Sequence, residues 1–241
     1  MSTFEKKYEI SYIDVDDKNQ LTNRGFIKYM QEVGGDHSSS VGYGLAQLTE
    51  CNMAWIILNW NVKVFKRPHC NDKIIIKTWI SSFNKIFAYR DYEISDESGT
   101  VIAIATSKWV LKNHEKKSII RFDETLEKAY DAQNFSVIDD KKWDKSIAIP
   151  DNFSYEYTYT VIRRDIDTNH HVNNLFYLDF ANEALPQEVY DSKPGSVEIQ
   201  YRKEIKYKDT IFCKYACKDN EHIVVITNED MSTIYAIVRF K

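Results

Sequence analysis

Residues 165–174 read Asp165-Ile166-Asp167-Thr168-Asn169-His170-His171-Val172-Asn173-Asn174, and the apolar run Leu175-Phe176-Tyr177-Leu178 follows at once. Carboxylates, amides and imidazoles are crowded together directly ahead of a hydrophobic segment. Asp, Thr and Asn side chains accept the unpaired N–H groups of a helix's first turn, so the stretch predicts a buried helix beginning near His171 with a polar mouth at its start. Free N–H donors and the positive end of the helix dipole favour developing negative charge at such a mouth. Asp, Asn and His beside it can orient a reactant, hydrogen-bond to it and move protons. The plainer reading is a well-capped helix with a hydrogen-bonded histidine. Metal ligation is disfavoured, because adjacent His170 and His171 cannot point the same way and no tight ligand repeat surrounds them. No metal and no cofactor are expected.

The chain has 241 residues, long for one small domain and comfortable for two. Its 16 Tyr, 12 Phe and 5 Trp provide a substantial core, and only 7 Gly and 4 Pro leave little material for linkers. A net charge of -4 gives no support to nucleic-acid binding. The N-terminal stretch lacks the apolar segment of a signal peptide, and no apolar run approaches a membrane span. Cys51, Cys70, Cys213 and Cys217 form no CxxC and no framework, which points to reduced thiols and a cytoplasmic location.

Outward from the opening stretch, the pattern is α+β. A strand is expected at Tyr8–Ile13. A helix follows from Asn19–Asn23, with Phe26, Ile27, Met30 and Val33 on one face and Gly34-Gly35 at its end. Leu58–Val64 alternates as a half-buried strand, and Ile74–Ile80, Phe87–Ile94 and Val101–Leu111 continue a sheet. A polar helix is expected at Asp123–Gln133, then a turn-rich segment to Pro150. The second half repeats the first, with a strand at Tyr155–Ile162, a helix at Val172–Leu185, and strands at Val197–Tyr207, Ile211–Cys217, Ile223–Asn228 and Tyr235–Phe240. Placing Asp17 on Asp167 also brings Asn19 onto Asn169, Asn23 onto Asn173 and Phe26 onto Phe176, and Asp72 falls on Asp209. An internal duplication of this kind means two like units. The copies differ at His171, matched by Leu21, and at Glu204, matched by Arg67, so only the second keeps an acid/base pair.

The Asp165–Asn174 stretch resembles the signature of the acyl-acyl carrier protein thioesterases. Other segments look like family positions in family order: Gln31-Glu32 with Asp36-His37, the run from Trp55 to Pro68, Thr78–Ser81, Arg90-Asp91, Ala105–Ser107 with Trp109-Val110, and Tyr201–Glu204. The resemblance implies an α+β double hotdog, two tandem antiparallel sheets each wrapped around a long helix. The expected organisation is an N-terminal hotdog over residues 1–122 holding the acyl chain, a connector over 123–150, and a catalytic C-terminal hotdog over 151–241. The implied activity is hydrolysis of fatty acyl-acyl carrier protein in fatty acid biosynthesis, with the carrier protein as partner and a homodimer as a compatible assembly. An acyl-coenzyme A thioesterase, a hotdog dehydratase and a non-catalytic acyl-binding module are the rivals. Asp167, Asn169, His171 and Glu204 fall on the family's catalytic positions. The family often carries Cys directly after that Glu; Ile205 stands here, which argues against a thiol nucleophile. The absence of a transit peptide gives the chain the look of a bacterial form.

On this reading Glu204 activates water with His171 nearby, Asp167 and Asn169 orient them, and N–H groups near His171–Asn173 hold the oxyanion. Strict alternation places Glu204 with Glu198, Gln200, Arg202 and Lys206 on the polar face of its strand, unless a bulge near Lys203 turns it inward or that face looks toward the other unit. Asn173, Arg163 and Arg164 are expected to contact substrate. Arg202, Lys203, Lys206 and Lys208, with Lys63, Lys66 and Arg67 on the matching strand, extend a basic patch for an acidic partner. Phe26, Met30 and Trp55 are expected to line the acyl slot.

Overall fold

Thr22 starts the longest helix. Its Oγ1 accepts from the N–H of Gly25 at 3.0 Å, the side-chain cap that satisfies a first turn, and α1 runs over Asn23–Ser40. Phe26, Ile27, Met30 and Val33 are buried along one face. The helix does not stop at Gly34-Gly35. A Cβ on Gly34 would sit 3.0 Å from the Tyr92 hydroxyl and 3.4 Å from Arg90 Cδ, so this glycine lets helix and sheet approach closely instead of ending the helix.

The computed structural model describes residues 3–138 and 144–241, in two compact units, Met1–Lys141 and Lys142–Lys241. The first unit's strands are β1 (Phe4–Glu9), β2 (Met53–Val64), β3 (Lys73–Asn84), β4 (Phe87–Asp96) and β5 (Val101–Asn113), paired antiparallel in the order β1-β3-β4-β5-β2. The short β6 (Ser118–Ile119) pairs with β5. Each long strand extends past its sequence-expected limits, because the flanking residues still pair with the neighbouring strands. Two short helices, α2 (Leu45–Glu50) and α3 (Glu124–Tyr130), pack against β2 and β3. Their Leu48, Leu126 and Tyr130 pack with Ile80, Leu111 and Phe122 in one apolar cluster. Beyond α3 the chain lies across the sheet as a strap. Gln133 and Asn134 donate to the carbonyls of Ile80 and Ser81, Phe135 stacks on Trp79 at 4.7 Å, and fully buried Asp91 accepts from Ser136 Oγ at 2.8 Å and from the Val137 N–H. Residues 124–138, expected in the connector, are therefore packed onto the first unit, and residues 139–143 of that expected connector lie outside the described residues.

In the second unit Gln200 pins the incoming chain, accepting from the Ile147 N–H at 2.9 Å and donating to the Lys145 carbonyl at 2.7 Å. The strands are β7 (Tyr155–Thr160), β8 (Ser196–Tyr201), β9 (Thr210–Lys218), β10 (Glu221–Thr227) and β11 (Ile234–Phe240), antiparallel in the order β8-β11-β10-β9-β7. The helices are α4 (Asn174–Glu183) and α5 (Gln187–Ser192). The expected strand to Tyr207 stops at Tyr201. Arg202 and Lys203 both donate to the carbonyl of Tyr235, the two-on-one pairing of a bulge, and the chain then leaves the sheet. The supposed polar face is also not solvated: Glu198 and Gln200 are buried, Glu198 with Arg239 at 2.5 Å. Among the described residues no helix is long and apolar enough to cross a membrane.

The backbone repeats between units, one residue out of the register that letter-matching suggests. Thr22 donates to the Asp14 carbonyl and Asn173 to that of Asp165; Asp16 donates to Gln20 and Asp167 to His171. Asn19 and His170 share the left-handed turn position, with φ of 58° and 63°. The structural counterpart of His171 is thus Gln20, not Leu21, and that of Asp167 is Asp16, not Asp17. Asp72 and Asp209 do correspond, each accepting the N–H three residues earlier, from His69 and Lys206. Arg67 remains the counterpart of Glu204.

Candidate active site

Asp165 organises the loop ahead of α4. Its buried carboxylate accepts from the Tyr159 hydroxyl and from the Ile162 N–H, both at 2.9 Å, and its carbonyl takes the N–H of Asn173 at 2.8 Å. Between these anchors Asp167 to His171 form a tight turn, closed by Asp167 N–H to His171 O at 2.9 Å and flanked by the Ile166–Val172 bridge. The turn presents His171. Helix α4 begins three residues beyond that histidine, because Asn173 takes the capping position and its Oδ1 accepts from the Leu175 N–H at 3.0 Å.

The loop after β8 supplies the second group. Val172 N–H donates to the Ile205 carbonyl at 2.9 Å, which ties the residue after the histidine to the residue after Glu204. The side chains follow: His171 Nε2 lies 3.1 Å from Glu204 Oε2, with the imidazole 28% and the carboxylate 47% exposed. Two groups more than thirty positions apart in sequence meet at a solvent-reachable point, and the departure of the chain from the sheet at Arg202 makes the meeting possible.

The remaining expected residues fall as follows. Asp167 Oδ1 accepts from the Asn169 N–H at 2.8 Å, and its Oδ2 lies 3.5 Å from Asn169 Nδ2; this pair braces the turn, and its described contact with the histidine is through main chain. Two of the three N–H groups expected to hold an oxyanion, those of Val172 and Asn173, are already given to Ile205 and Asp165. Arg163 packs against the Tyr207 ring at 5.7 Å, on the loop that carries Glu204. Arg164 is largely exposed, its Nε 3.5 Å from Asp165. Lys208 lies 5.4 Å from the same Tyr207 ring, and Arg202 donates to Ser146 Oγ.

In the first unit the basic patch thins. Lys66 pairs with Asp96 at 2.9 Å, and Arg67 turns inward to the Leu21 carbonyl and Asn23 Oδ1. Phe26 and Met30 have no exposed surface, so they are interior packing. Trp55 is partly exposed and rests against Phe122 at 5.7 Å and Tyr130 at 6.1 Å. Among the described residues, no three His, Cys, Asp or Glu side chains gather as a metal site.

The model for the acyl-ACP thioesterase N-terminal domain matches residues 1–130, and that for the C-terminal domain matches residues 150–239. The chain belongs to the acyl-ACP thioesterase family. An oleoyl-acyl carrier protein thioesterase of Coriandrum sativum is 26% identical over 225 residues, covering 87% of this chain and 61% of the relative. Oleoyl-acyl carrier protein thioesterase 1 of Arabidopsis thaliana is 27% identical over 225 residues, covering 87% and 62%. The chain therefore spans about three fifths of the length of these curated relatives. Among solved structures, an acyl-ACP thioesterase from Bacteroides thetaiotaomicron superposes with a TM-score of 0.87 at 21% identity, over 99% of this chain and 97% of that one. The 12:0-ACP thioesterase from Umbellularia californica superposes with a TM-score of 0.87 at 19% identity, over 100% and 97%. At these identities the superpositions establish the α+β fold with its antiparallel strands.

One residue within the opening stretch and one beyond it carry more than the sequence suggested. Asp165 is the loop's anchor. Tyr177, on the buried face of α4, reaches the Glu204 loop with its hydroxyl. The available signal was its polar tip on an otherwise apolar helix face, which demands a buried partner.

Proposed function

We propose that the protein hydrolyses fatty acyl-acyl carrier protein thioesters to free fatty acid and carrier-protein thiol, as an acyl-[acyl-carrier-protein] hydrolase serving fatty acid synthesis. The observation that carries this reading is the 3.1 Å approach of His171 Nε2 to Glu204 Oε2, in a chain of this family. Glu204 takes a proton from water, and the hydroxide attacks the thioester carbonyl carbon. Negative charge builds on the carbonyl oxygen, facing the N–H groups at the start of α4. There His171 and Asn174 are the donors with no acceptor among the described residues. Collapse breaks the C–S bond, and the proton held by the carboxylate passes to the departing thiolate. His171 holds the carboxylate in place. Asp167 and Asn169 keep the turn that aims the histidine.

The same reading takes the fold as a double hotdog with the labour divided. The second unit performs chemistry. The first holds the acyl chain, its Glu204 counterpart Arg67 being spent on the Leu21 carbonyl and Asn23, with partly exposed Trp55 at the edge of the apolar cluster as its candidate contact. The exposed Arg163, Arg164, Lys206 and Lys208 around Tyr207 suit an acidic carrier protein.

The test is thiol release from matched acyl-acyl carrier protein and acyl-coenzyme A substrates. Glu204→Gln should lower kcat by about 10²–10⁴-fold with the fold intact by circular dichroism. Near-normal turnover would remove Glu204 from the mechanism, and preference for the coenzyme A substrate would reassign the partner.

A further inference from the structure

Tyr177 sits on α4 with its side chain buried, and its hydroxyl lies between two backbone groups of another segment. It donates to the carbonyl of Lys203 at 3.3 Å and accepts from the N–H of Ile205 at 3.2 Å. Those residues flank Glu204 on either side. The Glu204 segment has left the sheet by this point, so strand pairing no longer fixes it. The Lys203 N–H bond to Tyr235 holds it on one side and the Val172–Ile205 main-chain bond on the other, and this phenol bridges both sides of Glu204. The ring itself is set edge-on against Tyr201 at 5.2 Å and 84°, and the Tyr201 hydroxyl donates to the Asn174 carbonyl at 3.0 Å in the first turn of α4. Burial pushes the Tyr177 phenol above its ordinary pKa, so it stays a neutral donor and acceptor throughout the working pH range.

We infer that Tyr177 is a positioning residue for the reaction: its hydroxyl clamps the backbone on both sides of Glu204 and thereby holds that carboxylate against His171. The inference rests on the general-base reading above. A carboxylate on an exposed loop has many rotamers and a backbone that can drift, and a displacement of about 1 Å in a reacting group can cost about a hundredfold in rate. The clamp removes the backbone part of that freedom without touching substrate.

The experiment compares Tyr177→Phe, which keeps the ring and deletes the hydroxyl, with Tyr215→Phe. Tyr215 is another buried, hydrogen-bonded phenol of the same unit, bonded to His222 and not to the Glu204 loop. In thiol-release assays Tyr177→Phe should lower kcat by about 10- to 100-fold with KM within about twofold, and should move the acidic limb of the kcat/KM profile. Tyr215→Phe should do neither. Incorporating 3-fluorotyrosine at position 177 keeps the ring and hydroxyl but weakens the oxygen as an acceptor, so it should shift the Ile205 amide proton resonance upfield, which keeps the inference testable even where the Phe variant folds poorly. Wild-type kcat and pH profile in folded Tyr177→Phe, equal losses in the two Phe variants, or an Ile205 amide resonance unmoved by fluorotyrosine would each overturn the clamp. Near-normal turnover by Glu204→Gln is a separate result and sinks the general-base reading itself.

Discussion

Acidification should destabilise the first unit through one histidine. His37 is 3% exposed, stacked on Phe4 and edge-on to Tyr130, and Arg90 Nη1 approaches its Nδ1 at 2.9 Å. Because the guanidinium can only donate, Nδ1 must accept, and a proton there would set two donors and two cations against each other. Burial first, and the Arg90 charge second, hold the imidazole down at about 3, against 6.5 when free. Between those values the unfolded chain binds the proton and the folded chain does not. The contribution is therefore complete above pH 6.5 and is lost as pH falls, by about 1.4 kcal/mol per unit. Moving from about pH 7.5 to about pH 5 enters that window by roughly 1.5 units, a loss of about 2 kcal/mol. The assay is urea denaturation followed by tryptophan emission, since Trp55, Trp60, Trp79 and Trp109 all lie in the first unit. His37→Asn keeps an acceptor toward Arg90 and cannot titrate. The wild type should lose about 2 kcal/mol more than His37→Asn over the same pH step. Equal losses would refute the argument.

Gly25→Ala should lower the thermal midpoint although alanine is the better helix former. The new Cβ would lie 2.5 Å from Leu21 Cδ1 and 2.9 Å from the Asp14 carbonyl oxygen, and such overlap costs about 1–3 kcal/mol against a propensity gain of about 1; a variant as stable as wild type would contradict it. Thiol reagents should modify exposed Cys51 and Cys217 in the folded protein and reach buried Cys213 only on unfolding. Replacing Cys51, Cys70 and Cys217 together by Ser should leave turnover unchanged, and a folded but inactive triple variant would reopen a thiol mechanism.

Much of the architecture was legible because it rests on periodicity. The α1 face of Phe26, Ile27, Met30 and Val33 repeats at helical spacing and is buried as that spacing demands. The failures have separate physical causes. Gly34-Gly35 looks like a stop from composition alone, and only the side chains of Tyr92 and Arg90, close against Gly34, show what a glycine at 34 makes room for inside a helix; Gly35 faces open space. Alternation carried β8 past Tyr201 because Glu204 and Lys206 continue the pattern; the double donation of Arg202 and Lys203 to one carbonyl has no letter code. Glu198 and Gln200 read as solvated because nothing local reveals that Arg239 and the 145–147 segment cover them. At the candidate site, the residue types of the 165–174 stretch were legible. The division of tasks was not: Asn173 and Asp165 serve the backbone, and Tyr177 acts from a helix position that reads as plain core.

The matching turns of the two units have a consequence for how such a molecule can change over time. The geometry around Asp14–Thr22 is kept by main-chain bonds, the threonine cap and the Asp16 carboxylate, with Arg67 reaching in from outside the turn to the Leu21 carbonyl. Positions 20 and 67 can therefore vary in one copy without unravelling it, and Arg67 serves as a rivet where a carboxylate, Glu204, stands in its sibling. A doubled backbone of this kind leaves side chains at the turn of one copy free to change while its shape is not.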